Sequence, residues 1–141
     1  MSWDMILVGY DDTEDARRAV GRAVALAKAG NAHLVLASIA PALPSGAAAH
    51  GVGPYDPANP PAEHRLALER LRSVIEGEGL DADLEVGVGD TAQALVDLAR
   101  RRNADLIVVG TREPSFLDRL LHGSVSQGVT RRAICDVLIV H

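Results

Sequence analysis

Five short apolar runs recur along the chain of 141 residues, and their pattern limits the fold more than any other feature of the sequence. Four runs are nearly continuous in apolar residues, as is typical of parallel strands that helices cover on both faces. The third run alternates instead, with an acidic residue between Leu84 and Val86, and this pattern predicts a strand at the edge of the sheet. The runs are residues 5–10, 33–39, 82–88, 106–109 and 137–140.

Amphipathic helical patterns separate these runs. Apolar residues three and four positions apart predict one helix after each of the first four runs. Asp12 or Thr13 is expected to cap the first helix, and Gly30 is expected to end it. Because strands and helices alternate, the sequence predicts an α/β fold in which a parallel sheet of five strands carries helices on both faces. The predicted apolar face of the second helix is Leu66 or Ala67, Leu71, Val74 and Ile75.

We predict a single three-layer domain over residues 1–141, because the chain is long enough to bury one continuous core. Residues 41–61 interrupt the alternation with a stretch rich in Pro, Gly and Ala. A loop of that length inside a compact domain is typical of a lid, a partner-binding segment or a disordered stretch. Residues 41–61 are therefore expected to form a flexible loop.

Charge and composition argue against several kinds of partner. The net charge is −5 and aromatic residues make up 3% of the chain, so we expect neither nucleic acid nor a membrane surface as a partner. The amino terminus lacks a signal-peptide pattern, and a cytoplasmic location is predicted. Cys135, the single cysteine, is expected to be a buried packing thiol. Arg100, Arg101 and Arg102 are expected to complement the carboxyl end of the third helix.

Polar residues and glycines follow the predicted strands, at the edge where open parallel sheets bind ligands. Residues 110–126 (GTREPSFLDRLLHGSVS) run from the fourth strand into a helix, whose first N–H groups favour phosphate. Gly123 would let the backbone approach a ligand closely, and the hydroxyls of Ser124 and Ser126 would add hydrogen bonds. The alternatives are structural: Gly110 ends a strand, Gly123 relieves a tight turn and Ser124 is an ordinary helix cap.

The sequence resembles the universal stress protein family over nearly its whole length. The fragments that carry the resemblance are residues 6–12 (ILVGYDD), 89–90 (GD), 104–110 (ADLIVVG), 123–126 (GSVS) and 135–140 (CDVLIV). The resemblance implies a sheet in the order 3-2-1-4-5, of the adenine-nucleotide alpha-hydrolase-like kind. It also implies a homodimer that pairs the terminal strands, residues 136–140.

The ATP-binding branch of that family has the pattern G-x2-G-x9-G-[ST]. Gly110 and the Gly123–Ser124 pair match this pattern, whereas Glu113 stands at the second glycine. The resemblance implies ATP as the ligand, with or without Mg²⁺: Asp11 would contact ribose or adenine, and Ile39 would offer its backbone to adenine. Gly110 would approach the ribose and phosphates. The full predicted nucleotide-binding set is Tyr10, Asp11, Asp12, Ile39, Gly110, Thr111, Arg112, Gly123, Ser124, Val125 and Ser126.

Glu113 leaves two functions open. A carboxylate at roughly 5 Å repels a triphosphate by a few kcal/mol at an effective dielectric near 20. A positive φ at this position would cost a non-glycine residue about 1 kcal/mol more, and together the two effects would lower affinity about a hundredfold. Arg112, Arg119 or a bridging Mg²⁺ would offset that repulsion. The first function is a regulatory module that binds ATP or another adenine nucleotide. The second is a nucleotide-free stress-response scaffold that acts through dimerisation and an unidentified protein partner.

Other chemistry finds little support in the sequence. A Walker loop is missing, and the single lysine, Lys28, lies within a predicted helix. Ser126 lacks the preceding strand of a hydrolase elbow, and the five histidines lack the spacing of metal ligands. Because no activated base faces a water, we expect at most slow ATP hydrolysis rather than an enzyme.

Overall fold

The computed structural model describes residues 2–43, 55–111 and 125–141. Within these residues, strands and helices alternate from the first strand to the last. The elements are β1 (Met5–Gly9), α1 (Glu14–Gly30), β2 (His33–Ala40), α2 (Pro61–Gly77), β3 (Ala82–Val88), α3 (Thr91–Arg102), β4 (Leu106–Gly110), α4 (Val125–Arg132) and β5 (Asp136–Val140).

The five strands form one parallel sheet in the order β3-β2-β1-β4-β5. The predicted fold class, strand order and edge position of β3 are confirmed. In the centre of the sheet, Leu7 of β1 pairs with Val35 of β2 and with Ile107 of β4. The connections run in one direction from β1 to β3 and in the other direction from β4 to β5, so the strand order reverses between β1 and β4.

Each face of the sheet has its own apolar core. Strand residues such as Ile6 and Leu36 pack under α1 and α2, whereas Leu7 and Val35 pack under α3 and α4. Because β1, β2 and β4 are covered on both faces, their sequences are almost continuously apolar, as the sequence pattern indicates.

The predicted apolar face of α2 is partly wrong. Leu68 and Ile75 are the buried residues of this helix, whereas Leu66 and Val74 are 51% and 66% exposed. Leu68, Leu71 and Ile75 are spaced three and four apart, so they form a face rotated from the one predicted. The sequence around Leu66 contains more apolar residues than one helix face can bury, and packing against β2 and β3 selects among them.

Side chains cap the amino ends of α1 and α3. Thr13 caps α1 by accepting a hydrogen bond from Ala16 N at 3.2 Å, and Asp90 caps α3 by accepting from Gln93 N at 3.0 Å. α1 ends at Gly30 as predicted, but the left-handed residue beyond its end is Asn31. Asn tolerates this conformation better than most residues.

The two ends of segment 41–61 lie together. Ala42 forms an isolated antiparallel bridge with Tyr55, and the N–H of Asp56 donates to the carbonyl of Pro41 at 3.1 Å. Pro61 is the first residue of α2, so the connection is shorter than the predicted loop by one residue. Residues 44–54 lie outside the described part of the chain, and the flexibility of the segment stays a prediction.

Candidate functional site

Three neighbouring strands end at the edge where the predicted site residues lie. Tyr10 continues the pairing of β1 with β2, since its N–H donates to the carbonyl of Ala37 at 2.8 Å. Thr111 does the same for β4, since its N–H donates to the carbonyl of Val140 at 2.9 Å. The fold thus brings Tyr10, Asp11, Asp12, Ile39, Gly110 and Thr111 to the carboxyl edge of one sheet.

The carboxylate of Asp11 is held at the start of α1. Its Oδ1 atom accepts hydrogen bonds from the backbone N–H of Thr13 at 3.2 Å and from the Thr13 hydroxyl at 2.5 Å. A negative charge at this position interacts favourably with the helix dipole. The arrangement fixes Asp11 at the point where β1 turns into α1, beside the reversal of strand order.

Asp12 adopts a left-handed backbone conformation, with φ of 62°. Its Oδ1 atom accepts from the Tyr10 hydroxyl at 2.7 Å and from Arg17 Nη2 at 2.8 Å, and Arg17 also donates to the Asp12 carbonyl at 3.0 Å. The hydrogen bonds from Tyr10 and then Arg17 lower the pKa of Asp12 below its ordinary value. Burial, and then the Asp12 carboxylate, raise the pKa of Tyr10. Sequence reasoning missed Arg17, which lies one helical turn past Thr13.

The backbone of Ile39 faces the strand-order reversal. In a strand, residues two apart direct their N–H and C=O groups to the same side. The carbonyl of Ala37 accepts from Tyr10 on the β1 side, so the N–H and C=O of Ile39 point to that side as well. Pairing of β1 with β2 stops at Ala37, and Ile39 therefore extends past the end of β1. Its side chain is 9% exposed and packs in the core under α3 and α4.

Gly110 contacts the backbone of α1. A Cβ atom at this position would lie 2.5 Å from the Asp15 carbonyl oxygen and 3.1 Å from Ala16 N. Asp15 is 6% exposed and pairs with Arg18. The close packing of β4 against α1 therefore requires glycine here whether or not a ligand approaches, which favours a structural role for this residue.

α4 supplies two of the predicted site residues. Val125, its first residue, is exposed, whereas Ser126 is buried and its carbonyl accepts from the Thr130 hydroxyl at 2.8 Å. The helix packs closely on α3, since a Cβ at Gly128 would lie 2.7 Å from that of Ala92. The remaining predicted residues, Arg112, Gly123 and Ser124, lie outside the described residues together with Glu113 and Arg119.

Residues 2–43, 55–111 and 125–141 contain no group of three or more His, Cys, Asp or Glu side chains arranged to hold a metal ion. Among the helices of the same ranges, none is both long enough and apolar enough to cross a membrane.

An open groove of about 450 Å³ lies at the opposite edge, between α3 and the turn before β5. Arg100, Asp105, Ile134 and Cys135 are among its lining residues. Cys135, which was expected to be buried, is half-buried, and burial raises the pKa of its thiol. Because the groove lies at the amino ends of β4 and β5, it is separate from the predicted site.

Known proteins resemble the chain over its full length. The sequence model of the Universal stress protein family matches residues 3–141. The universal stress protein Sll1388 of Synechocystis sp. is 30% identical, and the alignment covers 99% of each chain.

Solved structures share the fold. A universal stress protein solved in complex with cAMP is 33% identical, with a TM-score of 0.72 over 100% of this chain and 98% of that chain. The universal stress protein of Archaeoglobus fulgidus solved in complex with dAMP is 22% identical, with a TM-score of 0.74 over 100% of both chains. At that identity, the second structure supports the fold alone.

Proposed function

Because the chain belongs to the universal stress protein family, we propose that it is a regulatory module that binds an adenine nucleotide at the carboxyl edge of its sheet. The observation that carries the proposal is the convergence of two polar groups at the strand-order reversal. The carboxylate of Asp11 is fixed at the end of β1, and the backbone of Ile39 faces the same gap from β2. Open parallel sheets bind nucleotides at such points.

Each group suits a different part of the nucleotide. The Asp11 carboxylate can accept hydrogen bonds from ribose hydroxyls, while the N–H and C=O of Ile39 can pair with the polar edge of adenine. Tyr10 and Asp12 border the base and ribose. Gly110 and Thr111, at the end of β4, and Val125 and Ser126, at the start of α4, are the described residues proposed to lie nearest the phosphates. Arg112, Gly123 and Ser124, which lie outside the described residues, complete the proposed phosphate contacts.

The residue at position 113, a glutamate, bears on whether the ligand carries one phosphate group or several. A relative 33% identical to this chain was solved with cAMP, which carries one phosphate charge, whereas ATP carries several. Repulsion by a carboxylate grows with that charge, so a Glu113 carboxylate beside the phosphates would weaken ATP binding more than cAMP binding. ATP, with or without Mg²⁺, stays within the proposal, and slow hydrolysis stays a prediction.

Calorimetry tests the proposal. Nucleotide-stripped protein would be titrated with ATP, Mg-ATP and cAMP up to millimolar concentrations, with GTP and cGMP as base-specificity controls. We expect heat and a thermal shift with at least one adenine nucleotide. Asp11→Asn keeps an oxygen that can accept from Thr13 but loses the charge, and we expect it to weaken binding about tenfold. Absence of heat and of any thermal shift with all three adenine ligands would refute the proposal.

A nucleotide-free dimer scaffold is the second candidate. Both candidates include the dimer that the geometry of β5 favours, so only the nucleotide distinguishes them. Strand β5 is an edge of the sheet, and Ile134, just before it, is 77% exposed. An apolar edge of this kind favours pairing with another strand. In this proposal residues 136–140 form the homodimer contact, in a cytoplasmic protein with a further protein partner. Sedimentation at 10–100 µM (about the range for a moderate dimer) tests the dimer contact: wild type should be dimeric and Ile134→Lys shifted toward monomer. The scaffold function requires, in addition, that the calorimetry shows no nucleotide binding.

A further inference from the structure

Three side chains form a hydrogen-bonded chain between the end of β2 and the turn before α2. Oγ of Ser38 lies 2.6 Å from Nδ1 of His64, and Nε2 of His64 lies 2.8 Å from Oδ1 of Asn59. Ser38 lies in β2 and is 4% exposed, His64 lies in the first turn of α2, and Asn59 precedes that helix. The three residues lie outside the proposed nucleotide contacts.

The turn that contains Asn59 has its own internal structure. Asp56 Oδ1 accepts from Ala58 N at 2.9 Å, and the Asp56 carbonyl accepts from Asn59 N at 2.9 Å. Tyr55, at the start of the turn, bridges to Ala42. Residues 55–60 are thus a compact unit, which His64 fastens to the sheet through Ser38.

The hydrogen-bond pattern fits the neutral form of His64. Oδ1 of Asn59 can only accept, so Nε2 carries the proton and Nδ1 accepts from the Ser38 hydroxyl. A second proton, on Nδ1, would reverse the bond, so that Nδ1 donates to Ser38 Oγ. The Ser38 hydroxyl hydrogen would then lose its acceptor at a residue that is 4% exposed, and a charge would lie beside the buried core. Burial accordingly lowers the pKa of His64, and the charge of Glu63 on the same helix opposes this effect. β2 and the turn face the ring with the neutral groups of Ser38 and Asn59.

We propose that His64 is a pH-sensitive latch that fastens residues 55–60 to the end of β2 when it is neutral and releases them when it is protonated. The latch borders the carboxyl edge of the sheet: Gly9 pairs with Ala37, so Tyr10 and Ser38 are the next residues in register. Tyr10 packs against the core under α1 and α2, the face on which Ser38 contacts His64. Release of the turn therefore occurs next to Tyr10, a residue of the proposed nucleotide site. The latch itself does not require a bound nucleotide.

A hydrolytic role for the same three residues does not fit their surroundings. Ser38, His64 and Asn59 follow one another as the nucleophile, base and orienting group of a hydrolase triad do. Ser38, however, lies within β2, opposite Val86 of β3, and is 4% exposed under α2. A substrate carbonyl carbon cannot approach its Oγ atom without removal of that helix.

Amide hydrogen exchange between pH 7.5 and 5 (about the range around the ordinary His pKa of ~6.5) tests the latch. The released imidazole binds a proton more readily than the latched one. Opening of residues 55–60 should therefore increase as the pH falls below the pKa of the released imidazole. One proton per opening event gives about a tenfold change per pH unit until the lower pKa of the latched ring is reached. Amides of β1 and β4 should show no such change.

Two variants control the exchange experiment. His64→Gln keeps an acceptor and a donor but cannot be protonated, so the turn should exchange independently of pH after correction for intrinsic rates. Asn59→Asp places a carboxylate at Nε2, which favours the imidazolium, and acid should then no longer open the turn. The latch is refuted if His64→Gln and wild type share one pH profile. It is also refuted if NMR titration of the wild-type ring gives a His64 pKa at or above about 6.5.

Discussion

Gly110 and Asp15 contact each other backbone to backbone, because a Cβ at residue 110 would lie 2.5 Å from the Asp15 carbonyl oxygen. Gly110→Ala should therefore push β4 and α1 apart and lower the free energy of unfolding by about 1–3 kcal/mol. Because the change displaces the end of β4 from Asp11, it should also weaken any nucleotide binding. Urea denaturation of the ligand-free protein measures the first effect.

Gly21→Ala is the matched control for that substitution. Gly21 lies in α1, and an added Cβ would meet no atom within 4 Å among the described residues. Replacing a helical glycine by alanine stabilises a helix by roughly 0.5–1 kcal/mol, so the two alanine variants should move stability in opposite directions. Equal stability of Gly110→Ala and wild type would show that β4 adjusts without cost.

Arg102 joins the end of α3 to the edge strand β3. Its Nε atom lies 2.8 Å from Glu85 Oε1, and its Nη1 atom lies 3.1 Å from Asp83 Oδ2. Arg102→Ala should lower stability by about 1 kcal/mol, since the pair with Glu85 is partly shielded from water. The stability difference between Arg102→Ala and wild type should be smaller in about 1 M salt, which shortens the screening length to roughly 3 Å.

Arg101→Ala provides the comparison for Arg102, because Arg101 occupies the exposed face of the same helical turn. We expect it to change stability by less than about 0.5 kcal/mol. If both variants lose the same stability, the general charge of the helix end matters more than the contacts of Arg102. The favourable interaction of the three arginines with the carboxyl end of α3 would then explain their contribution to stability.

Sequence patterns predicted the fold class because the continuous apolar runs of the central strands match their burial on both faces. Continuous apolar runs and regular helix stripes indicate a parallel sheet with helices on both faces, whereas the strand order was implied by the family resemblance. The face of α2 could not be predicted, since Leu66, Leu68, Leu71 and Val74 are all apolar and tertiary packing chooses among them.

At the candidate site, the sequence indicated Asp11 and Gly110 as binding residues, which stays a prediction. It did not reveal the contact of Gly110 with Asp15 or that of Asp12 with Arg17. Both contacts depend on how α1 meets the sheet, which spacing alone does not specify. The same holds for His64: its partners Ser38 and Asn59 are distant or unremarkable in sequence, and only the docking of α2 joins them.

The Tyr10–Asp12 hydrogen bond predicts a dependence on acid pH. The pKa of Asp12 is lower in the folded protein, so its contribution to stability is present above the ordinary Asp value of about 3.9 and is lost as the pH falls through the lowered value. Tyr10→Phe removes the hydrogen bond that contributes most to the lowered pKa of Asp12. The variant should therefore raise that pKa toward the ordinary value, as measured by carboxyl NMR. Arg17→Gln should have a smaller effect, and the opposite ranking would assign the shift to the guanidinium.

Glu113 is predicted to decide which adenine nucleotide binds. If its carboxylate lies near the phosphates, Glu113→Gly should strengthen ATP binding about tenfold to a hundredfold, whereas cAMP, with a single charge, should gain less than about threefold. Glu113→Gln separates charge from backbone freedom: it should recover most of the gain if repulsion dominates, and little of it if a left-handed glycine is required. Calorimetry with both ligands gives the ratio of affinities, which cancels changes in overall stability. An unchanged ratio in both variants would mean that the Glu113 side chain points away from the phosphates, and that ligand choice is set elsewhere in the site.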